Sequence, residues 1–308
     1  MTYAPIALFT YNRADHTKRA VESLLRNEEA KDCDLFIFSD GPKTPEKKAG
    51  VEENRKYIHT ITGFKSITIV EREKNWGLAN SLIAGITEVI GKYGRIVVVE
   101  DDLVVSPYYL KFMNDGLEKY KDDDRIAAIC GFIPQTDQPL PETYFLTYMH
   151  PWGWATWDRA WQLLITDTKY LLRKMRFKTY KFDLDGSTGS YGNLYCQKVG
   201  LVDSWYIRLY ASFFLAGKLI LFPGRPMVEN DGMDGSGTHC KETEGSTCYV
   251  HPDSHPITFH DIPVEENMQA RAVVSAAYRR NIPASHSFRA KFKHFKGFVR
   301  RLLYIDCW

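Results

Sequence analysis

Short apolar runs alternate with segments of helical periodicity through the first 130 residues. Residues 5–10 (Pro-Ile-Ala-Leu-Phe-Thr) read as a buried strand ending in Tyr11-Asn12-Arg13. Beyond it Ala20, Val21, Leu24 and Leu25 recur at helical spacing, with Asp15 or Thr17 as the expected cap. Residues 34–39 form a second strand closed by the turn Asp40-Gly41-Pro42, and a charged, helix-prone stretch follows over 44–60. The third strand spans 66–70, and Asn75-Trp76-Gly77-Leu78-Ala79-Asn80 opens a helix reaching about Tyr93. The run 95–99 (Arg-Ile-Val-Val-Val) is β-branched without interruption, as in a strand buried on both faces of a mostly parallel sheet. Ser106-Pro107 then provides a cap and first helical residue for a helix carrying Tyr108, Leu110, Phe112 and Leu117, and a fifth strand covers 126–130. Strands and helices alternating in this way predict a doubly wound α/β sheet.

The pattern changes after residue 131. Pro134, Pro139 and Pro141 mark a loop, and residues 150–161 hold four of the seven tryptophans. Trp154, Trp157 and Trp161 fall at i, i+3, i+7, which predicts one core stripe of a helix. Trp152, in a Pro-Trp-Gly turn, is the better candidate for an aromatic platform against a sugar ring, and Trp205 is a second. Residues 185–193 read as a flexible loop that closes over ligands. Asp203 is the expected N-cap of a strongly apolar helix running to about residue 216, followed by a strand over 218–222. The glycine-rich stretch 229–239 reads as a mobile lid. An amphipathic helix is expected over 265–279, and another over 288–303 whose apolar stripe is ringed by Lys and Arg, suited to a membrane interface or to docking on its own domain or a partner.

Composition narrows the classes. With 44% hydrophobic residues in 308, the chain can bury a large core. The net charge of +2 is uneven: from His286 onward six Lys or Arg face Asp306 alone. By charge the body is not a nucleic-acid binder, whereas the tail suits an anionic surface. Met1-Thr2-Tyr3-Ala4-Pro5 leads into a strand without a basic n-region, and no stretch is long and apolar enough to span a bilayer. The expected location is therefore cytoplasmic, peripheral on the inner membrane face if the tail docks there. The six cysteines are scattered without a C-x-x-C pair, so reduced thiols are expected, with Cys240 and Cys248 placed to bridge on oxidation.

The chemistry concentrates at Glu100-Asp101-Asp102, just past the carboxyl end of the fourth strand, where open α/β sheets place their ligands. Alternation along an extended chain would put Glu100 and Asp102 on one face and Asp101 on the other. Three adjacent carboxylates are either a solvated turn or a site whose charge is offset by a cation, and a divalent metal is the natural candidate. Polar residues recur at the other strand ends (Asn12 and Arg13, Asp40, Asn75), as at a rim that binds a nucleotide. There is neither a G-x-x-x-x-G-K-[ST] phosphate loop nor a G-x-G-x-x-G turn after the first strand, which disfavours P-loop NTPases and nicotinamide dehydrogenases.

Residues 34–41, 75–80 and 97–107 resemble the nucleotide-sugar-binding half of GT-A-type glycosyltransferases. The Glu-Asp-Asp-Leu sequence with its Ser-Pro helix is similar to the family of the Golgi N-acetylglucosaminyltransferase that starts N-glycan branching. The stretches 203–208 and 228–240 resemble bacterial family 2-like sugar transferases of surface-polysaccharide synthesis. The resemblance implies a nucleotide-sugar-binding half over 1–131, an acceptor-binding and catalytic half over 132–262, and a basic helical tail over 263–308. It implies that Asp102 holds a Mn2+ or Mg2+ ion, with His239 completing the shell or touching the diphosphate, and that Asp101 contacts the ribose or metal-bound water. Glu100 would lie near the donor, and Thr10, Asn12, Arg13 and Asp40 would surround the uracil of a UDP-sugar, with Asn75 and Gly77 on the same rim. Asp203 falls where related enzymes keep the catalytic base, although the Golgi enzyme has two adjacent acids there and this chain has Val202 and Ser204 beside one. The implied activity is inverting, metal-dependent transfer of a hexosyl or N-acetylhexosaminyl group to a hydroxyl of a glycan or lipid-linked acceptor. The alternatives are a sugar nucleotidyltransferase, which would release pyrophosphate, and a non-catalytic carbohydrate-binding protein on the same fold.

Overall fold

The computed structural model describes residues 2–234 and 247–281. His239, Cys240 and the expected basic helix over 288–303 lie outside them. The elements are β1 (Ile6–Thr10), α1 (Ala14–Leu25), β2 (Asp34–Ser39), α2 (Lys48–Ile58), β3 (Ser66–Glu71), α3 (Leu78–Tyr93), β4 (Arg95–Glu100), β5 (Leu103–Val105), α4 (Tyr109–Lys119) and β6 (Ile126–Cys130). After them come β7 (Thr143–Leu146), β8 (Trp154–Trp157), α5 (Asp158–Trp161), α6 (Thr168–Met175), α7 (Thr179–Phe182), α8 (Ser190–Lys198), α9 (Trp205–Leu215), β9 (Leu219–Pro223), β10 (Val228–Asn230) and α10 (Met268–Arg280).

One eight-stranded sheet, ordered β3-β2-β1-β4-β8-β6-β9-β7, runs through both halves of the chain. The pairs β2–β3, β1–β2, β1–β4 and β6–β9 are parallel; β8 and β7 run against their neighbours. The strands alternate cleanly between two cores. Ala7, Phe9, Ile96 and Val98 face one that is closed by α3, α5, α6, α9 and α10. Ile6, Leu8, Val97 and Val99 face the other, under α1, α2 and α4. The order 3-2-1-4 at one end means that the chain winds one way from β1 and then crosses back to β4. The crevice between the carboxyl ends of β1 and β4 is therefore the topological switch point.

The first half follows the sequence pattern except at two caps, α1 starting at Ala14 behind Arg13, ahead of Asp15 and Thr17, and α4 at Tyr109 behind Tyr108, two residues past Pro107; the second half departs from it in four places. Trp154 and Trp157 belong to β8 and not to a helix. A separation of three in a strand sends side chains to opposite faces. Trp154 joins Trp161 in one core and Trp157 packs in the other, donating its indole N–H to Leu117 O at 3.1 Å. All three tryptophans are buried, as expected, but in two layers. The stretch 185–193 is not an open loop: Leu184, Ser187 and Ser190 are buried, and α8 begins at Ser190. Its Asp185 is clamped by Arg271 of α10 through two bonds of 2.9 Å. The cap of α9 is Ser204, whose hydroxyl accepts from Ile207 N, and not Asp203. Finally, the head of the expected lid is the strand β10, paired antiparallel with β5.

Candidate active site

The switch point brings together side chains about ninety positions apart in sequence. Arg13, directly after β1, points its Nη2 at both acids beyond β4: 2.6 Å to Asp101 Oδ1 and 2.8 Å to Asp102 Oδ2. Tyr11 N lies 3.4 Å from the second oxygen of Asp101. The strand ends at Glu100, and the turn Asp101-Asp102 breaks the alternation that would have separated the two carboxylates. Glu100 is the residue left apart, paired in register with Phe9. The cation that the triplet requires is thus supplied first by the protein itself.

The electrostatics show how far that goes. Burial, and then the neighbouring charges of Asp102 and Asp101, push the Glu100 carboxyl well above the ordinary range. Burial also raises Asp101, against the opposing pull of Arg13. Burial by itself would lower the Arg13 guanidinium, but the two aspartates outweigh it and raise it above an ordinary arginine. The other terminal nitrogen of Arg13, Nη1, is buried and has no hydrogen-bond partner among the described residues.

A second segment closes over the acids. Asp231 N donates to Asp102 O at 2.8 Å, and the Asp231 carboxylate binds Arg19 of α1. Gly232 N donates to Asn230 Oδ1 at 2.9 Å. A methyl group at Gly232 would stand 2.5 Å from Asp102 Oδ2 and 3.0 Å from Arg13 Nη1, so the acid–arginine cluster has room only for glycine there. Sequence reasoning missed Arg19, on α1, and Asp231 and Gly232 as parts of this site, because the β5–β10 ladder that brings Asp231 and Gly232 to the acids joins two three-residue strands.

The neighbouring rim is built as expected in position but is largely self-satisfied. Thr10 Oγ1 contacts Thr17 Oγ1 at 2.8 Å and accepts from Asn54 Nδ2 at 2.7 Å, while Asn12 packs on Gly50. Asp40 is buried, and its carboxylate accepts from the backbone N–H groups of Gly41, Trp76 and Gly77 at 2.9–3.1 Å. Asn75 Nδ2 donates to Gly41 O at 2.8 Å, and Gly77 takes φ 76° to start α3. Asp40, Asn75 and Gly77 therefore hold the shape of the β2 and β3 ends. Arg72, unforeseen in the sequence, stacks its guanidinium on Trp76 at 4.0 Å beside them.

The aromatic candidates divide. Trp205 is 3% exposed and stacks on Trp154 with centroids 5.4 Å apart, so it is a core residue and offers no face to a sugar. Trp152 is half-buried, edge-on to Phe132 and His150 at 4.5 and 4.7 Å. His150 itself is held neutral by burial, its pKa pushed down to about 3. Asp203 stands in solvent, 58% exposed, with its carboxylate 3.1 Å from Arg208 Nη2. Among the described residues no hydrogen bond or ion pair ties it to the acids beyond β4.

The residues present fit a divalent cation as a partial shell. Asp101 and Asp102 already converge on one cationic atom, and hard carboxylate oxygens completed by substrate phosphates are the usual way magnesium-type ions are held. Among the described residues no group of three or more His, Cys, Asp or Glu side chains surrounds a common point, so the protein alone would not complete the shell.

Among curated proteins, no sequence matches the chain significantly. Among solved structures, a UDP-glucose pyrophosphorylase complexed with UDP-glucose is similar over 74% of this chain and 94% of its own, at 13% identity and a TM-score of 0.38. The mannosyltransferase PcManGT from Pyrobaculum calidifontis, in complex with GDP-Man and Mn2+, is similar over 70% of each chain, at 12% identity and a TM-score of 0.35. S. aureus TarS is similar over 46% of this chain and 24% of its own, at 14% identity and a TM-score of 0.31. Residues 6–181, more than half of the chain and every strand from β1 to β8, match the family model of Glycosyl transferase family 2, and the chain belongs to that family.

Proposed function

We propose that this glycosyltransferase is inverting and divalent-metal-dependent, and moves a sugar from a nucleotide-sugar donor, UDP-linked by preference, to a hydroxyl of a glycan or lipid-linked acceptor in surface-polysaccharide synthesis. The observation that carries this reading is the meeting of two carboxylates on one cationic atom at the β1/β4 switch point, where such sheets bind nucleotides. Asp102, with Asp101 beside it, would hold a Mn2+ or Mg2+ ion, which when bound offsets the negative charge developing on the departing diphosphate. Arg13 Nη1, buried without a hydrogen-bond partner among the described residues, would offer a donor to a phosphate oxygen. Asp203 would take the acceptor proton; that its carboxylate is exposed beside the turn that starts α9 supports this reading. As that proton leaves, the acceptor oxygen bonds to the anomeric carbon from the side opposite the leaving diphosphate, and the configuration inverts. General-base help of this kind is typically worth about 10²- to 10⁴-fold.

Thermal shift against a panel of nucleotide sugars, with and without Mn2+, tests donor and metal together. A donor-specific shift that needs Mn2+ and disappears in Asp102→Ala is expected, and a shift retained in that variant refutes the acid site. Asp203→Asn is expected to bind donor normally and lose nearly all transfer, and full turnover would remove Asp203 from the base role.

A further inference from the structure

The most exposed large apolar side chains among the described residues lie together in sequence, in the helical layer formed by α6, α7 and α8. Phe177 is 77% exposed, Leu201 75% and Tyr180 68%, with Tyr195 and Val199 also in solvent. The layer is anchored from beneath by Leu171, Met175, Phe182 and Leu194, all fully buried, so these outer side chains are held in place on packed helices. Apolar side chains on such a firm base are costly unless something covers them.

The charge around them says what covers them. Residues 168–182 carry six Lys or Arg and no Asp or Glu, against +2 for the whole chain. Lys181 reaches Glu266 at 3.1 Å, but Arg173, Lys174 and Lys178 have no ion-pair partner among the described residues. The cations are interleaved with aromatics: Arg173 and Lys174 lie 5.6 and 5.7 Å from the Tyr170 ring, and Arg176 lies 5.2 Å from Phe177. Aromatic rings at headgroup depth, with lysine and arginine stems laid along apolar surface and their charges at the phosphates, are how a protein rests on an anionic bilayer. A protein partner of ordinary composition would instead bring carboxylates to some of these cations and need a broader apolar area.

We propose that the α6–α8 layer is a docking face for an anionic lipid bilayer. No helix among the described residues is long and apolar enough to cross a membrane, so the contact is peripheral. Asp203 follows Leu201 by two residues, so docking would hold the proposed base near the bilayer surface, where a lipid-linked acceptor presents its hydroxyl. This last clause rests on the transferase reading; the docking itself does not.

The test is co-sedimentation of the full chain with phosphatidylglycerol/phosphatidylcholine vesicles and with pure phosphatidylcholine. Two face variants are compared with wild type: Phe177→Ser with Leu201→Ser, and Arg173→Ser with Lys174→Ser and Lys178→Ser. All five side chains are exposed, and an unchanged melting temperature verifies folding. A third variant replaces Lys291, Lys293, Lys296, Arg300 and Arg301 by Ser in the basic tail. The expected result is binding to anionic vesicles only, weakened at least about tenfold in both face variants whatever the tail variant does. Wild type that ignores anionic vesicles, or face variants that bind as wild type does, overturns the proposal. A dimer abolished by Phe177→Ser with Leu201→Ser, with vesicle binding intact, assigns the face to a second copy and also overturns it. Vesicle binding is read without turnover, so failure of the docking and failure of the transferase reading are separable.

Discussion

Arg13→Met isolates the role of the resident cation at the switch point. The guanidinium makes two charge-assisted bonds, of 2.6 and 2.8 Å, to carboxylates whose side chains are only 8% and 18% exposed. Methionine keeps much of the side-chain bulk and removes the charge, leaving Asp101 and Asp102 facing each other with Glu100 alongside. Removing one partner of a buried ion pair costs about 3–5 kcal/mol, because the surviving charge stays desolvated. At roughly 2–4 °C per kcal/mol for large domains, the melting temperature should fall by about 6–20 °C. The sign of the pH dependence follows from Asp101. Burial raises its pKa and Arg13 is the main opposing influence, so without Arg13 the carboxyl rises further. A carboxyl whose folded pKa lies above its unfolded one stabilises the fold at low pH and loses that contribution as pH rises. The deficit of Arg13→Met should therefore be small near pH 5 and large near pH 8. Millimolar Mn2+ without nucleotide should restore much of the loss at pH 8 in the variant and do little for wild type, whose acids already share a cation. Calorimetry of both proteins at the two pH values, with and without Mn2+, provides the measurement. A variant that melts within about 1 kcal/mol of wild type at pH 8 in the absence of metal would refute the counter-ion role, since even one charge-assisted bond is worth more than that.

Gly232→Ala forces a methyl against Asp102 Oδ2, so Mn2+-dependent nucleotide-sugar binding by calorimetric titration should weaken at least about tenfold, with about 1–3 kcal/mol lost in stability; unaltered binding would show that the 230–232 segment does not bound the site. Trp205→Ala removes a ring stacked on Trp154 and should cost about 3–5 kcal/mol by denaturant unfolding; a stable variant with only a raised acceptor KM would return Trp205 to the platform role. Burial opposes ionisation of Glu266, but hydrogen bonds from Thr147 and the charges of Arg271 and Lys181 outweigh it and hold the carboxyl below its usual range. Its contribution is present above the unfolded value near pH 4.5 and lost as pH falls through the folded one, so Glu266→Gln should flatten the acid limb of the stability curve, and an unchanged limb would exclude it.

What was legible in the sequence is what short-range pattern encodes. The run 95–99 could only be a central strand, and the Ser-Pro pair after it marked the coming helix within two residues. Legibility failed where the deciding partner is remote. Trp154 and Trp157 read as helix by spacing, and the ladders to β4 and β6 on either side make them strand instead. The 185–193 stretch has a loop's composition, yet Arg271, some 86 positions later, fixes Asp185. The 229–232 segment is polar and opens a glycine-rich stretch, and only its pairing with β5 shows that it lies against the acids. Asp203 and Ser204 are both good caps, and the choice between them depends on backbone direction at a single residue.

The same distance effect explains why the acid triplet pointed straight to a metal. Within 95–107 nothing neutralises three carboxylates, and the strand that brings Arg13 to them pairs with β4 only in the folded sheet. On the proposed reading Arg13 does not make a metal redundant. One guanidinium brings a single positive charge to Asp101 and Asp102, and burial, the largest influence on both Glu100 and Asp101, pushes those carboxyls up because the crevice solvates charge poorly. A nucleoside diphosphate entering alone would add negative charge to a place already short of positive charge. Arriving with a divalent ion, it would find two carboxylate oxygens that already converge on a cation, and a buried N–H donor of Arg13 without a partner. The resident arginine thus offsets part of the acid charge within the fold, and on the proposed reading a metal–diphosphate pair would bring the remainder.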